Sequence, residues 1–289
     1  MQYHLEKGLV RAVVETHGGE LVSLQNAAGT EYIGGGDPAF WTGRNPNLFP
    51  IVGSLRGNQT EINGEIYEMF RHGFTRNSEF TLIEQTADSA VLELRETPET
   101  LRRYPFPFAL RIRHRLLEDG FSTTYTVENT GSDSLPFCIG GHTAIRCPLF
   151  PGERFEDYQL VFEVSEDAET LLLTPEGLID RATEPMMKDG IQTLDYETFR
   201  RLDTIIFRDL QSNSVSLVHR ETGHGVKLDF HEFPAIGFWT PPGAPFLCME
   251  PWHGCAGRVE DSDQFLEKPF LIRLHPGEQK RLTYTFTFV

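Results

Sequence analysis

No apolar run in this chain approaches the roughly 18 to 20 residues that a bilayer span requires, so no membrane anchor is expected. Basic residues are scarce: 26 Lys and Arg stand against 42 Asp and Glu, a formal net charge of −16 over 289 residues. Binding to a phosphate lattice depends on clustered Lys and Arg releasing counterions, so neither nucleic acid nor an anionic membrane is an expected partner. Only four cysteines occur, Cys138, Cys147, Cys248 and Cys255, widely spaced and without a CxxC pair. They fit neither a disulfide scaffold nor a zinc knuckle and read as reduced thiols of a cytoplasmic protein. The opening "MQYHLEKGLVRAVV" carries charges where a signal peptide has its apolar region, so no secretion signal is expected. A GxSxG nucleophile elbow is missing, and "GGEL" and "GGGD" lack the strand, spacing and helix of a phosphate or dinucleotide loop.

What is present is strand after strand. Period-two alternation and turn punctuation outnumber helical periodicity throughout, which predicts an all-β chain of twelve to twenty strands in one domain over residues 1–289. Hairpins are predicted around Asn63-Gly64, Asp119-Gly120, Thr222 to Gly225 and Pro276-Gly277. Only "TPETLRRY" and "TLDYETFRRLD" read as helices, each with an acidic start and a basic end. No internal repeat or linker interrupts the pattern, and a large antiparallel sandwich is the expected architecture.

Chemistry-bearing residues fall in separated segments. Glu250 lies in "FLCMEPWHG", where burying a carboxylate among apolar neighbours is costly unless it is paired or functional, and where desolvation raises its pKa toward that of a useful general base. His142 follows Gly140-Gly141, a backbone open enough for a ligand to approach, although a hydrogen-bonded core histidine reads equally well. In "RHGFTR", His72 and Arg76 sit beside Gly73; in an extended segment positions 72, 74 and 76 share a face, so the two could meet one oxygen-rich ligand. Asp203 precedes an apolar β-prone run, and Arg44 lies between Gly43 and "NPNLFP". Trp41, Trp239 and Trp252 serve either as core residues or as platforms for the C–H face of a sugar. His219, His224 and His231 share one hairpin, but their spacing is no compact ligand motif such as HExxH, and no bound metal is expected.

In their order along the chain, "GGELVSLQNAAGTEYI", "NPNLFPIVGSL", "HGFTRNSEF", "GGHTAIRCPL", "LDTIIF" and "FLCMEPWHG" resemble the aldose 1-epimerase (galactose mutarotase) family, most closely its bacterial LacX-like branch. The resemblance implies a galactose-mutarotase-like antiparallel β supersandwich with a shallow site on a concave sheet, and a small-molecule aldose or sugar phosphate as the partner. By the same resemblance Glu250 and His142 are the catalytic pair. His72 matches a second active-site histidine, and Asp203 an aspartate that binds hydroxyls. Arg44 and Arg76 resemble arginines of hexose-6-phosphate mutarotases, and Trp239 is a further substrate-binding candidate. The implied reaction interconverts α and β anomers without a cofactor: Glu250 takes the O1 proton while a protonated His142, kept near its reference pKa of about 6.5 by a nearby carboxylate or substrate oxygen, gives one to the ring oxygen. A hexose-6-phosphate mutarotase and a non-catalytic sugar-binding protein are the alternatives.

Overall fold

In the computed structural model, which describes residues 1–289, 24 strands accompany two short α-helices, Pro98–Leu101 and Tyr196–Leu202. Both helices lie within the two segments read as helical. Thr97 caps the first by accepting from the Thr100 amide, and Asp195 caps the second by accepting from the Thr198 amide. The strand count exceeds the expected range because five strands, Asn47–Leu48, Leu135–Phe137, Ile139–Gly141, Ile191–Thr193 and Ile272–Leu274, are only two or three residues long, too short to leave an alternation pattern.

Two sheets dominate. One has nine strands in the order Ile191–Thr193, Tyr158–Phe162, Ser214–His219, Gly225–Asp229, Gln279–Phe288, Gly120–Asn129, Phe108–Leu116, Ser89–Arg95, Thr81–Gln85. The other is built around Phe246–His253. Ala235–Trp239 and then Thr204–Arg208 lie on one side of it, with Ile139–Gly141, Thr143–Arg146 and Asn47–Leu48 on the other. The pairings are antiparallel, and the two sheets form the large antiparallel sandwich that the alternation predicts.

Alternation decides what each face of the second sheet presents. Phe207, Phe238, Leu247 and Met249 enter the main apolar core, where they meet residues of the large sheet such as Phe162, whose ring stands edge-on to Phe207 and Phe238. The intervening residues, Ile206, Gly237, Cys248, Glu250 and Trp252, therefore point to the opposite, concave face. That face is covered in turn, so Phe246–His253 is buried over nearly its whole length and reads as an apolar run rather than a clean alternation.

The hairpin expected around Asp119-Gly120 forms with its turn centred slightly earlier, and one other turn expectation needs correction. Leu116 pairs with Phe121 and the Leu117 amide bonds to Gly120 O, so the central turn residues are Glu118 and Asp119, and Gly120 already belongs to the returning strand. Pro276-Gly277 does form a turn, but not a hairpin: Ile272–Leu274 pairs with Leu135–Phe137, whereas Gln279–Phe288 pairs with Gly120–Asn129 and Gly225–Asp229. The turn moves the chain between sheets. Asn63-Gly64, with φ of 53° and 85°, and the Thr222–Gly225 segment do join paired strands.

Candidate active site

The concave face brings together residues from four distant stretches of chain. Phe246–His253 pairs with Ile139–Gly141 through Gly140 and Trp252, and with Thr143–Arg146 through Thr143 and Met249, in one continuous register. Position 142 therefore falls opposite Glu250, and side chains directly opposite on neighbouring strands share a face. His142 Nε2 lies 3.3 Å from Glu250 Oε1. On the far side, Gly237 is the partner of Glu250, and the ring of Trp252 fills the space a Gly237 side chain would need.

Gly140 and Gly141 serve packing rather than ligand access. A Cβ on Gly141 would meet the Tyr284 ring at 2.9 Å, and one on Gly140 would meet Pro251 O at 2.8 Å. The expectation that these glycines leave the backbone open to a ligand is thus overturned. It is the His142 side chain, not its neighbouring backbone, that reaches the cleft.

Glu250 is 1 % exposed and His142 7 %. Burial pushes the Glu250 carboxyl well above the usual carboxylate range. The Asp203 charge adds to that rise, while Trp252, Arg71 and Arg76 oppose it. Burial, and then the Arg76 and Arg71 charges, push the His142 imidazole down to about 3. A protonated His142 held near 6.5 by a carboxylate is therefore not what the site favours: its nearest carboxylate is itself held uncharged. Burial thus works against charge on both members of the pair.

His72 is joined to this pair edge-on, 5.6 Å from the His142 ring between centroids. The Gly53 amide donates to His72 Nδ1 at 3.1 Å, so this nitrogen is the acceptor and the neutral ring carries its proton on Nε2. Burial, reinforced by the positive groups around it, holds His72 well below the ordinary histidine range.

The expected common face of positions 72, 74 and 76 does not exist. His72 and Gly73 take φ of 67° and 74°, Thr75–Asn77 coil into a 3-10 turn, and Phe74 is buried in the apolar core. The turn brings Gly73 against Phe49 O, where any Cβ would stand 2.1 Å away, so the backbone cannot run extended there. His72 and Arg76 reach the same cleft nonetheless.

Asp203 terminates the helix Tyr196–Leu202 and leads into Thr204–Arg208, as its place in the sequence suggested. Its φ of 63° is uncommon for a residue with a side chain, and its Oδ1 accepts from Trp239 Nε1 at 3.3 Å. Trp41 stands over the His142 ring with 4.9 Å between centroids and meets Trp239 edge-on at 5.4 Å. Trp41, Trp239 and Trp252 all line the cleft.

The arginines around the cleft differ from the expected set. Arg44 does not line the cleft. Its carbonyl accepts from the Ala144 amide, its own amide points to Glu20, and its guanidinium lies over Gly36, where a Cβ would sit 2.4 Å from Cζ. The missing side chain at Gly36 gives the guanidinium its seat. Arg71, not singled out from the sequence, does line the cleft. It donates through Nε to Ser54 Oγ at 2.8 Å, and Arg76 Nη2 donates to Arg71 O at 2.8 Å. Neither guanidinium forms an ion pair, and the nearby Glu79 is engaged by the N-terminus and His17. Gly177, at the tip of the Ala168–Leu173 and Ile179–Met187 hairpin, closes over Arg71. The signal for Arg71 was its position, next to His72 in an acidic chain.

The three hairpin histidines do not converge. His219 and His224 stack at 5.2 Å, and His224 meets Glu153, whereas His231 pairs with Asp229 at the other end of Gly225–Asp229. The four cysteines are buried and unpaired. No helix is long and apolar enough to cross a membrane.

The family model described as aldose 1-epimerase matches residues 1–287. The plasmid and chromosomal LacX proteins of Lactococcus lactis subsp. lactis are each 33 % identical over 299 residues, covering all of both chains. Among solved structures, a galactose mutarotase related enzyme from Lactobacillus acidophilus superposes with a TM-score of 0.95 at 27 % identity, covering 100 % of this chain and 97 % of that one. A galactose mutarotase-like protein from Lactobacillus casei gives 0.91 at 27 % identity, with full coverage of both.

Proposed function

Because the chain belongs to the aldose 1-epimerase family, we propose that it interconverts the α and β anomers of an aldohexose, with Glu250 and His142 as the acid–base pair. The observation that carries this reading is the cross-strand placement of the two side chains, 3.3 Å apart in a cleft rimmed by tryptophan and arginine. Ring opening needs one base and one acid on the same face of the sugar, and these two groups share one proton.

The reaction starts when that proton passes from Glu250 to His142, leaving a carboxylate and an imidazolium. Hydroxyls donated by the sugar, together with Arg71 and Arg76, stabilise the carboxylate. Glu250 then takes the O1 proton as the C1–O5 bond breaks and C1=O1 forms, and His142 delivers its proton to O5. Rotation about C1–C2 presents the other carbonyl face. O5 attacks it, returning its proton to His142, while Glu250 returns its own to O1. No electrons are exchanged and no cofactor takes part in any step.

His72, Asp203, Arg76 and Trp239 hold the sugar in this reading. His72 offers Nε2–H as a donor, Asp203 accepts from hydroxyls, and Trp239 presents an aromatic face beside it. A second reading, that the substrate is a sugar phosphate, is favoured by one observation: Arg71 and Arg76 are guanidiniums without ion-pair partners in a chain of net charge −16. Following the mutarotation of freshly dissolved α-glucose and α-galactose by polarimetry, and of hexose 6-phosphates by NMR exchange, tests both readings. Acceleration by the protein that Glu250→Gln removes is the expected result. No acceleration with any of these sugars would overturn the enzyme reading.

A further inference from the structure

The alternation that points Glu250 into the cleft points Cys248 the same way, two residues earlier on the same strand. A ring nitrogen of His142, the Sγ of Cys248 and a carboxylate oxygen of Glu250 all lie within 4.8 Å of one another, and all three residues are buried. Two of these side chains also hold a second buried polar atom with no hydrogen-bond partner, His142 Nδ1 and Glu250 Oε2, distinct from the Nε2 and Oε1 that face each other at 3.3 Å, and Trp252 Nε1 beside them is likewise unpartnered. A buried polar atom left in that condition is uncommon and invites a ligand.

We propose that Cys248, Glu250 and His142 form a site for a thiophilic divalent cation, Zn²⁺ above all, and that its occupation shuts the acid–base pair off. Nitrogen, sulfur and carboxylate ligands at about 2.0 to 2.3 Å from a tetrahedral zinc stand roughly 3.3 to 3.6 Å from each other. The His142 to Glu250 separation of 3.3 Å already has that length. Bringing in Cys248 takes a side-chain shift of roughly 1 Å. Zn²⁺ forms its S, N and O bonds as the thiol and the carboxyl release their protons to solvent. Three protein ligands leave the fourth position facing the cleft, where water completes the shell. A mixed thiolate, imidazole and carboxylate set selects Zn²⁺, Co²⁺ or Cu²⁺ over Mg²⁺ and Ca²⁺. The metal has no part in the anomer chemistry: it occupies the lone pairs of both groups that move protons. The inhibition rests on the epimerase reading, whereas the binding does not.

Co²⁺ titration of the full chain, followed by absorbance, tests the binding without reference to activity. A thiolate-to-cobalt charge-transfer band is expected in the unaltered protein and in Cys147→Ser, and is lost in Cys248→Ser. Absence of the band, or its persistence in Cys248→Ser, overturns the site. Should Cys248→Ser not fold, Glu250→Gln serves the same comparison, with a weakened band expected and an unchanged one overturning the proposal. Zn²⁺ is then added to the mutarotation assay. Loss of activity that a chelator restores, with Cys248→Ser active and about 100-fold or more less sensitive, is the expected outcome, since altering even a partner of a metal ligand costs 10- to 100-fold in affinity. Equal sensitivity of the two proteins, or no effect of Zn²⁺ on an active enzyme, overturns the inhibitory role, and Mg²⁺ at the same concentration is expected to change nothing.

Discussion

His142 and Glu250 face each other across neighbouring antiparallel strands, with Nε2 and Oε1 3.3 Å apart. Their separation along the chain is more than a hundred residues, and strand register alone brings them together. Because both are nearly excluded from water, the medium opposes charge on each, and the pair is poised to exchange a single proton rather than to stand as a settled ion pair.

Removing either proton-transfer group should abolish catalysis while sparing the fold. Glu250→Gln and His142→Asn are expected to lower kcat by about 10² to 10⁴, the usual contribution of a positioned acid or base. Glu250→Gln keeps the packing volume and relieves a buried ionisable group, so its melting temperature should stay constant or rise, whereas His142→Asn trims a buried ring and should lower it modestly. Polarimetry and a thermal melt of each variant check this.

Arg71 and Arg76 should separate charged from neutral sugars. Replacing either by Met removes a charge-assisted contact to an anionic substituent, worth about 1.5 to 3 kcal/mol, or a roughly 10- to 100-fold rise in KM for a sugar phosphate. For a neutral hexose the rise should be much smaller. KM values for paired neutral and phosphorylated substrates measure the difference, and equal effects on both would assign the arginines to shaping the cleft.

Asp203 places stability against function. At φ 63° a side chain strains the backbone, and Asp203→Gly should relieve that strain. A gain of about 1 kcal/mol is expected, a rise of roughly 2 °C in Tm for a chain of this size. The same substitution takes away the carboxylate that accepts from Trp239 and should weaken sugar binding. Calorimetry and KM on one variant report both halves.

Acid sensitivity should trace in part to His114, outside the cleft. Its Nε2–H donates to Gly19 O at 2.8 Å and its Nδ1 accepts from the Thr123 hydroxyl at 3.0 Å, and burial pushes its pKa down to about 4. A folded-state pKa below the unfolded value of 6.5 means that the unfolded chain binds the proton more readily. The stability is thus fully present above 6.5 and is lost as pH falls through the window down to about 4. At about 1.4 kcal/mol per unit, that window is worth roughly 3 kcal/mol. His114→Gln, which keeps a donor and an acceptor, should show a shallower fall of Tm over this range than the unaltered chain.

Much of the β architecture was legible because its signals are local. Alternation marked the strands, Asn63-Gly64 marked a tight hairpin, and the acidic starts and basic ends of "TPETLRRY" and "TLDYETFRRLD" marked two helices. The Pro276-Gly277 turn shows the limit: a turn is written in its own residues, but whether the flanking strands pair depends on distant competitors, here Leu135–Phe137 and Gly120–Asn129. The site behaved likewise. Glu250 stood out because a carboxylate within an apolar run is anomalous wherever it occurs, whereas Arg44 and Arg71 differ only in where a loop carries them.

By itself, then, the amino-acid sequence determined which segments extend and which side chains have chemistry to offer, since backbone propensity and functional groups belong to single residues and their neighbours. Only the tertiary structure decided that His142 lies opposite Glu250, that Cys248 shares their face, that Arg44 is seated away from the cleft and that burial works against charge on both members of the pair. Those outcomes depend on register, close packing and exclusion of water, which arise only when remote parts of the chain meet.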